Sequence, residues 1–102
     1  MIKNNCPLHY TLNLIGTKWK PLILFHLLEG PLRSGVLQKK ISGISNKMFT
    51  QTVRELELDG LIVREVFPVV PPKVEYSLTN KGKSLENILR NMDEWGATFY
   101  KD

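Results

Sequence analysis

Three residues, Ser42-Gly43-Ile44, separate two stretches of helical periodicity, and this spacing restricts the fold more than any other feature of the chain. Upstream, Val36, Leu37 and Ile41 mark the apolar face of a helix from about Ser34 to Ile41. Downstream, Phe49, Thr52, Val53 and Leu56 recur at helical spacing from Ser45 to about Asp59. Ser45 suits an N-cap, where its hydroxyl can accept a backbone N–H, and Gly60 suits the residue that ends a helix. Two helices joined by three residues, one a glycine, form a helix-turn-helix, here spanning about 34–59.

The flanking sequence limits what surrounds this unit. Cys6-Pro7 opens a first helix, Pro7 to Ile15, because proline is favoured in the first helical turn. Gly16 closes it. A second helix from about Thr17 to Leu28 carries Trp19, Leu22, Ile23, Phe25, Leu27 and Leu28 nearly all round, the pattern of a buried core helix. Pro31-Leu32-Arg33 is a short extended piece. After Gly60 the period changes. Leu61 to Phe67 is rich in β-branched residues, and Lys73 to Leu78 alternates, so 61–78 is expected to form a β-hairpin. A last helix, about 80–100, carries the stripe Leu85, Ile88, Leu89, Met92, Trp95 and Phe99. The expected fold is mainly α with a small β-hairpin: a winged helix-turn-helix with terminal helices, in one domain covering 1–102.

Composition agrees with a globular reading. Among the 102 residues, 42% are apolar and 24% charged, which excludes collagen-like and disordered chains. No apolar run approaches the ~18–20 residues that span a bilayer, and Met1 to Asn5 lead into no signal-peptide core. A cytoplasmic location without membrane contact is expected. The single cysteine, Cys6, excludes an internal disulfide and a cysteine-based zinc site. With only His9 and His26 beside it, no metal or other cofactor is expected. No nucleophile–base pairing, phosphate loop or Cys-x-x-Cys supports an enzyme.

Charge is divided unevenly. Residues 1–54 hold eight basic residues against Glu29 alone, a net +7, while residues 55–102 hold six basic and nine acidic, a net −3. A basic half points to a polyanion, most often nucleic acid. On a wheel of about 100° per residue, Ser45, Phe49, Thr52 and Leu56 fall on one side of the helix that follows the turn. Lys47, Thr50, Gln51 and Arg54 fall opposite, with Asn46 at the edge. Glu55 and Glu57 are expected off that polar face. Arginine and lysine match guanine edges, glutamine matches adenine, and threonine meets a thymine methyl or a phosphate. The candidate DNA-contacting set is therefore Ser45, Asn46, Lys47, Thr50, Gln51 and Arg54, with Lys39 and Lys40 for phosphates. Arg64 and Lys73 extend the set onto the wing, Lys73 more strongly, because a cation at a wing tip reaches phosphate or the minor groove.

At these residues the chain resembles the HxlR-type, MarR-like winged helix-turn-helix regulators of bacteria. The resemblance is carried by Cys6-Pro7, Leu14-Ile15-Gly16-Thr17-Lys18-Trp19-Lys20, Gly30-Pro31-Leu32-Arg33, Gly43-Ile44-Ser45, Arg54-Glu55-Leu56, Asp59-Gly60-Leu61 and Pro71 to Thr79, and it covers residues 6 to about 96. One departure is the run Ser34-Gly35-Val36-Leu37, where the family usually has an aromatic residue and a glutamate after the arginine. The resemblance implies a homodimeric transcriptional regulator that binds inverted-repeat operators in double-stranded DNA. It implies a dimer interface between the terminal helices, here Leu8 and Leu12 with Leu85, Ile88, Leu89, Met92, Trp95 and Phe99. The apolar stripe supports this independently, because a winged-helix core is already filled and the surplus surface calls for a partner.

In part of that family the cysteine before the proline senses oxidants or electrophiles, and Cys6 occupies that position. Physically, a helix N-terminus stabilises a thiolate, with Lys3 and His9 nearby to add to this, while the alternative is a half-buried small apolar residue, since unpaired cysteines are among the most buried types. One cysteine per chain limits oxidation to an intersubunit disulfide, a mixed disulfide with a small thiol, or a sulfur acid. Two alternatives stay open: a regulator answering to a small ligand with Cys6 as a bystander, and a winged-helix module that binds protein.

Overall fold

The computed structural model describes residues 6–101. Its elements run α1 (Pro7–Ile15), α2 (Lys20–His26), β1 (Leu32–Arg33), α3 (Ser34–Lys40), α4 (Asn46–Leu58), β2 (Ile62–Phe67), β3 (Lys73–Leu78), α5 (Asn80–Lys83) and α6 (Glu86–Phe99). The winged helix-turn-helix expected from the sequence is present. Gly43 makes the turn possible: its φ of 83° lies in the left-handed region that side chains disfavour. Ser45 caps α4, its hydroxyl accepting the Met48 N–H at 3.0 Å.

Three boundaries differ from expectation. α2 begins at Lys20 instead of Thr17, because the Thr17 hydroxyl accepts the Lys20 N–H at 3.3 Å and holds residues 17–19 in a lead-in turn. The wing is not a bare hairpin. β1 adds a third antiparallel strand, in the order β1-β3-β2, with Leu32 opposite Tyr76 and Arg33 opposite Glu75. The expected last helix over 80–100 is broken into α5 and α6 at Ser84 and Leu85. Thr79 caps the start of α5, its hydroxyl accepting the Gly82 N–H at 3.0 Å and donating to the Gly60 carbonyl at 2.6 Å, which pins α5 against the base of the wing. The break follows where the Leu85 N–H turns to the Gly82 carbonyl, three residues back, at 3.1 Å.

The core joins Ile23 and Leu24 of α2 and its C-cap Leu27 with Leu37, Phe49, Val53, Leu56, Leu61 and Ile62, all nearly or fully buried. Tyr76 of β3 closes it, edge-on to Phe49 at a centroid separation of 6.3 Å. α6 contributes Leu89, and Arg90, paired within α6 to Glu86 at 2.8 Å, fastens the helix to Glu29, three residues past α2, at 3.0 Å. α2 therefore supports α4 on one side and α6 on the other.

Candidate nucleic-acid interface

α4 presents the polar face that the wheel places there. Asn46, Lys47, Thr50, Gln51 and Arg54 are exposed and line one shallow concavity. Phe49, Thr52, Val53 and Leu56 are buried on the other side, and the Thr52 hydroxyl donates back to the Met48 carbonyl at 2.7 Å. A second concavity runs from α4 to the wing and is lined by Ser34, Thr50, Arg54, Glu57, Arg64 and Tyr76. Thr50 and Arg54 border both, so the surface is continuous from the start of α4 to β2.

The candidate residues do not all stand equal. Ser45 spends its hydroxyl on the cap. The Asn46 carbonyl oxygen accepts from the Gln38 amide of α3, which ties the two helices of the helix-turn-helix together. Lys39 lines a hollow with Arg33, Ser34 and the wing residues Pro71, Pro72 and Lys73. Lys40 sits toward His26, whose pKa is lowered first by burial and then by the Lys40 charge. The two lysines are thus separated.

Lys73 is not at a wing tip. It opens β3 opposite Phe67, lies 4.3 Å from the centre of that ring and 3.5 Å from Glu75, and is half-buried. The tip, Pro68 to Pro72, is apolar and carries no cation, with Val70 fully exposed. Arg64 is exposed, and it shares the groove with Arg54.

The acids also depart from expectation. Glu57 follows Thr50 by seven residues and faces the same groove. Glu55 reaches the edge of the polar face: its Oε2 accepts from Gln51 Nε2 at 3.1 Å, and its Oε1 lies 3.2 Å from Lys20 Nζ. These contacts, the Gln51 hydrogen bond first and Lys20 second, hold the Glu55 carboxyl below its ordinary pKa. Sequence reasoning passed over Lys20. The available signal was a lysine in the first turn of a helix that is apolar on nearly every side.

Cys6 is exposed at the N-cap position of α1, where its carbonyl accepts the His9 N–H at 2.9 Å. Lys3, expected to assist it, lies outside the described residues. On the expected interface, Leu8, Leu12, Ile88, Met92, Trp95 and Phe99 are exposed, and the Trp95 and Phe99 rings lie 5.0 Å apart. Leu89 is a correction. At 3% exposure it belongs to the chain's own core, and Leu85, just before α6, packs partly buried against that core. Leu89 faces α2, where it borders Pro21, Leu22 and Phe25. Between those two helices lies an apolar cavity of about 300 Å³ lined by Pro21, Leu22, Phe25 and Met92, with Lys18 and Asp93 at its rim.

Among the described residues, no helix is long and apolar enough to cross a membrane. The family model for the HxlR-like helix-turn-helix matches residues 14–102. The chain is 48% identical over 97 residues to the uncharacterized HTH-type transcriptional regulator YdeP of Bacillus subtilis, covering 95% of this chain and 75% of that one. It superimposes on the redox regulator HypR in its oxidized form with a TM-score of 0.90 at 43% identity, covering 95% of this chain and all of that one. The reduced form of the transcriptional regulator YodB from B. subtilis gives 0.78 at 34% identity, covering 99% and 97%. The matched family, the capped α4 with its polar face and the three-stranded wing agree, and the chain belongs to the HxlR-like helix-turn-helix family of DNA-binding transcription regulators, which are not enzymes.

Proposed function

We propose that residues 1–102 act as one DNA-binding unit that pairs as a homodimer on an inverted-repeat operator, with α4 in the major groove and the β2–β3 wing beside the adjacent backbone. The observation that carries this reading is the unbroken exposed run Asn46, Lys47, Thr50, Gln51 and Arg54 on a capped helix. Two cations and three hydrogen-bonding side chains on one helix face match the donor and acceptor pattern of base edges. Arg64 adds a phosphate contact from the wing, and Lys39 another from α3. Lys40, turned toward His26, and Lys73, occupied by Glu75 and Phe67, contribute less.

A two-fold dimer covers half-sites about 34 Å apart or a multiple of that. Neutralising ~6–10 phosphates makes affinity fall by roughly 10³–10⁵ between 50 and 200 mM salt. The test is a gel shift on a duplex that the protein selects from a randomised library. Arg54→Ala is expected to weaken binding by about 1–3 kcal/mol if Arg54 reads a base. Unchanged affinity in that variant takes Arg54 out of the interface.

The likeness to the redox regulator HypR, and to YodB in its reduced form, supports a regulatory reading in which Cys6 oxidation alters DNA binding. Cys6 is exposed on α1, whose apolar Leu8 and Leu12 face outward beside it. A mixed disulfide with a small thiol needs only this exposure, whereas an intersubunit bond needs two Cys6 Cα atoms within ~7 Å. Diamide with a small thiol is expected to change operator binding by the wild type and not by Cys6→Ser, with reversal on reduction. Equal responses of the two proteins sink the switch. A second reading, a small apolar effector, is favoured by the cavity between α2 and α6.

A further inference from the structure

Among the described residues, Lys20 is the one buried charged side chain. It lies in the first turn of α2, is 8% exposed, and sends its ammonium toward α4 instead of toward water. There it meets Glu55 Oε1 at 3.2 Å, while Glu55 Oε2 accepts from Gln51 Nε2 at 3.1 Å. One carboxylate is therefore held at both oxygens, by a buried cation of the scaffold and by a side chain of the exposed α4 face. The neighbouring Lys18 does not compete, since its ammonium sits over the Trp19 ring at 4.5 Å.

This arrangement fixes which way the Gln51 amide turns. A carboxylate only accepts hydrogen bonds, so the Gln51 nitrogen must face Glu55. With the N–H remote from the carbonyl making this bond, the carbonyl oxygen and the N–H beside it stay free as the pair that matches the N6 donor and N7 acceptor of adenine. Glutamine alone is a floppy reader, because its amide rotates and its rotamers must be frozen on binding. Anchoring the amide before DNA arrives lowers that cost and disfavours the flipped orientation. The buried end of the ion pair supplies the rigidity. Lys20 loses its partner if the half-exposed Glu55 side chain turns away, so the pair favours the one Glu55 position that also accepts from Gln51.

The geometry points to Lys20 and Glu55 as positioning residues that set the base preference of Gln51, so that a side chain outside the interface determines specificity within it. The inference rests on the DNA-binding reading above, and its test separates the two. The wild-type protein selects a duplex from a randomised library, and single-base variants of that duplex measure discrimination at each position. Gln51→Ala is expected to lose on the order of 10-fold discrimination at one position. Lys20→Met, similar in length and uncharged, is expected to flatten the same position to a similar extent. Affinity for a scrambled duplex and the salt slope stay as in the wild type, since no phosphate contact is removed. Lys20→Arg keeps the discrimination, and Lys20→Met added to Gln51→Ala changes nothing further. The double variant Lys20→Met/Glu55→Leu, which removes both charges without orphaning either, repeats the flattening even if the single substitution unfolds the chain. Full discrimination in Lys20→Met, or a uniform loss on every duplex, overturns the inference and leaves these residues a purely structural role. Discrimination surviving Gln51→Ala while Arg54→Ala abolishes it also overturns the inference, with DNA reading intact. Failure to select any sequence overturns the DNA reading itself.

Discussion

Ser45 and Glu55 show how single side chains on α4 serve the fold and the surface at once. Ser45 stands at the exposed N-cap of α4, and its hydroxyl is committed to the Met48 N–H. Ser45→Ala is therefore expected to cost about 1 kcal/mol of stability, measured by denaturant unfolding, because an N-terminal N–H loses its acceptor. A cost near zero means the cap is replaced by water. Glu55 makes a second, pH-dependent case. Its folded pKa is lowered, so its contribution is present above the unfolded carboxylate value and is lost only as pH falls through the lower folded value. The carboxyl, followed by NMR, is expected to titrate below an ordinary glutamate. Lys20→Met should move it upward, since Lys20 is the second cause of the lowering after Gln51. No movement would show that the Gln51 hydrogen bond alone sets it.

At the scale of elements, α5 is the joint that decides how α6 leaves the wing. Gly82 makes this possible by close approach. A Cβ there would lie 2.2 Å from the Leu61 carbonyl oxygen and 3.2 Å from Leu78. The Leu61 carbonyl cannot yield, because it accepts the Thr79 N–H at 3.1 Å. Gly82→Ala is expected to destabilise by roughly 1–3 kcal/mol through overpacking. Gly35→Ala, in α3 with nothing within 4 Å of its new methyl, is expected to gain roughly 0.4–1 kcal/mol from reduced chain entropy. Thermal melts of the two variants moving in the same direction would contradict this account.

The whole protomer is flattened, 47 × 41 × 25 Å, with a radius of gyration of 14.7 Å against ~13 Å for a compact chain of this length. Apolar surface sits on the terminal helices, where Leu8, Leu12, Met92, Trp95 and Phe99 are each more than half exposed. A flattened protomer with its surplus apolar residues at both ends of the chain is what a helical dimer interface requires. Sedimentation at micromolar concentration is expected to give about twice 11.7 kDa. Met92→Glu/Trp95→Glu is expected to give monomers with an unchanged melting profile at low concentration. A wild-type monomer would remove both the interface and the palindromic operator.

Periodicity and punctuation determined much of this molecule without help. The turn at Ser42–Ile44, the Ser45 cap, the two faces of α4 and the alternation of β3 are local properties, set by side-chain spacing of about 3.6 or 2 and by the backbone freedom of glycine. They place Lys47, Thr50, Gln51 and Arg54 together because residues three and four apart share a helix face wherever the helix goes. What depends on distant partners was not legible. α5 is held at the base of the wing by a threonine bonded to a carbonyl nineteen residues earlier. The short extended piece at Leu32–Arg33 was legible, but not that it would pair with β3 and widen the wing to three strands. Leu89 turns inward because α2 is there to receive it, although its spacing puts it on the same stripe as exposed Met92. The Lys20–Glu55–Gln51 chain joins residues more than thirty apart, and no periodic pattern records such a contact. Helix faces follow from local geometry, but what each face meets is decided when the elements pack.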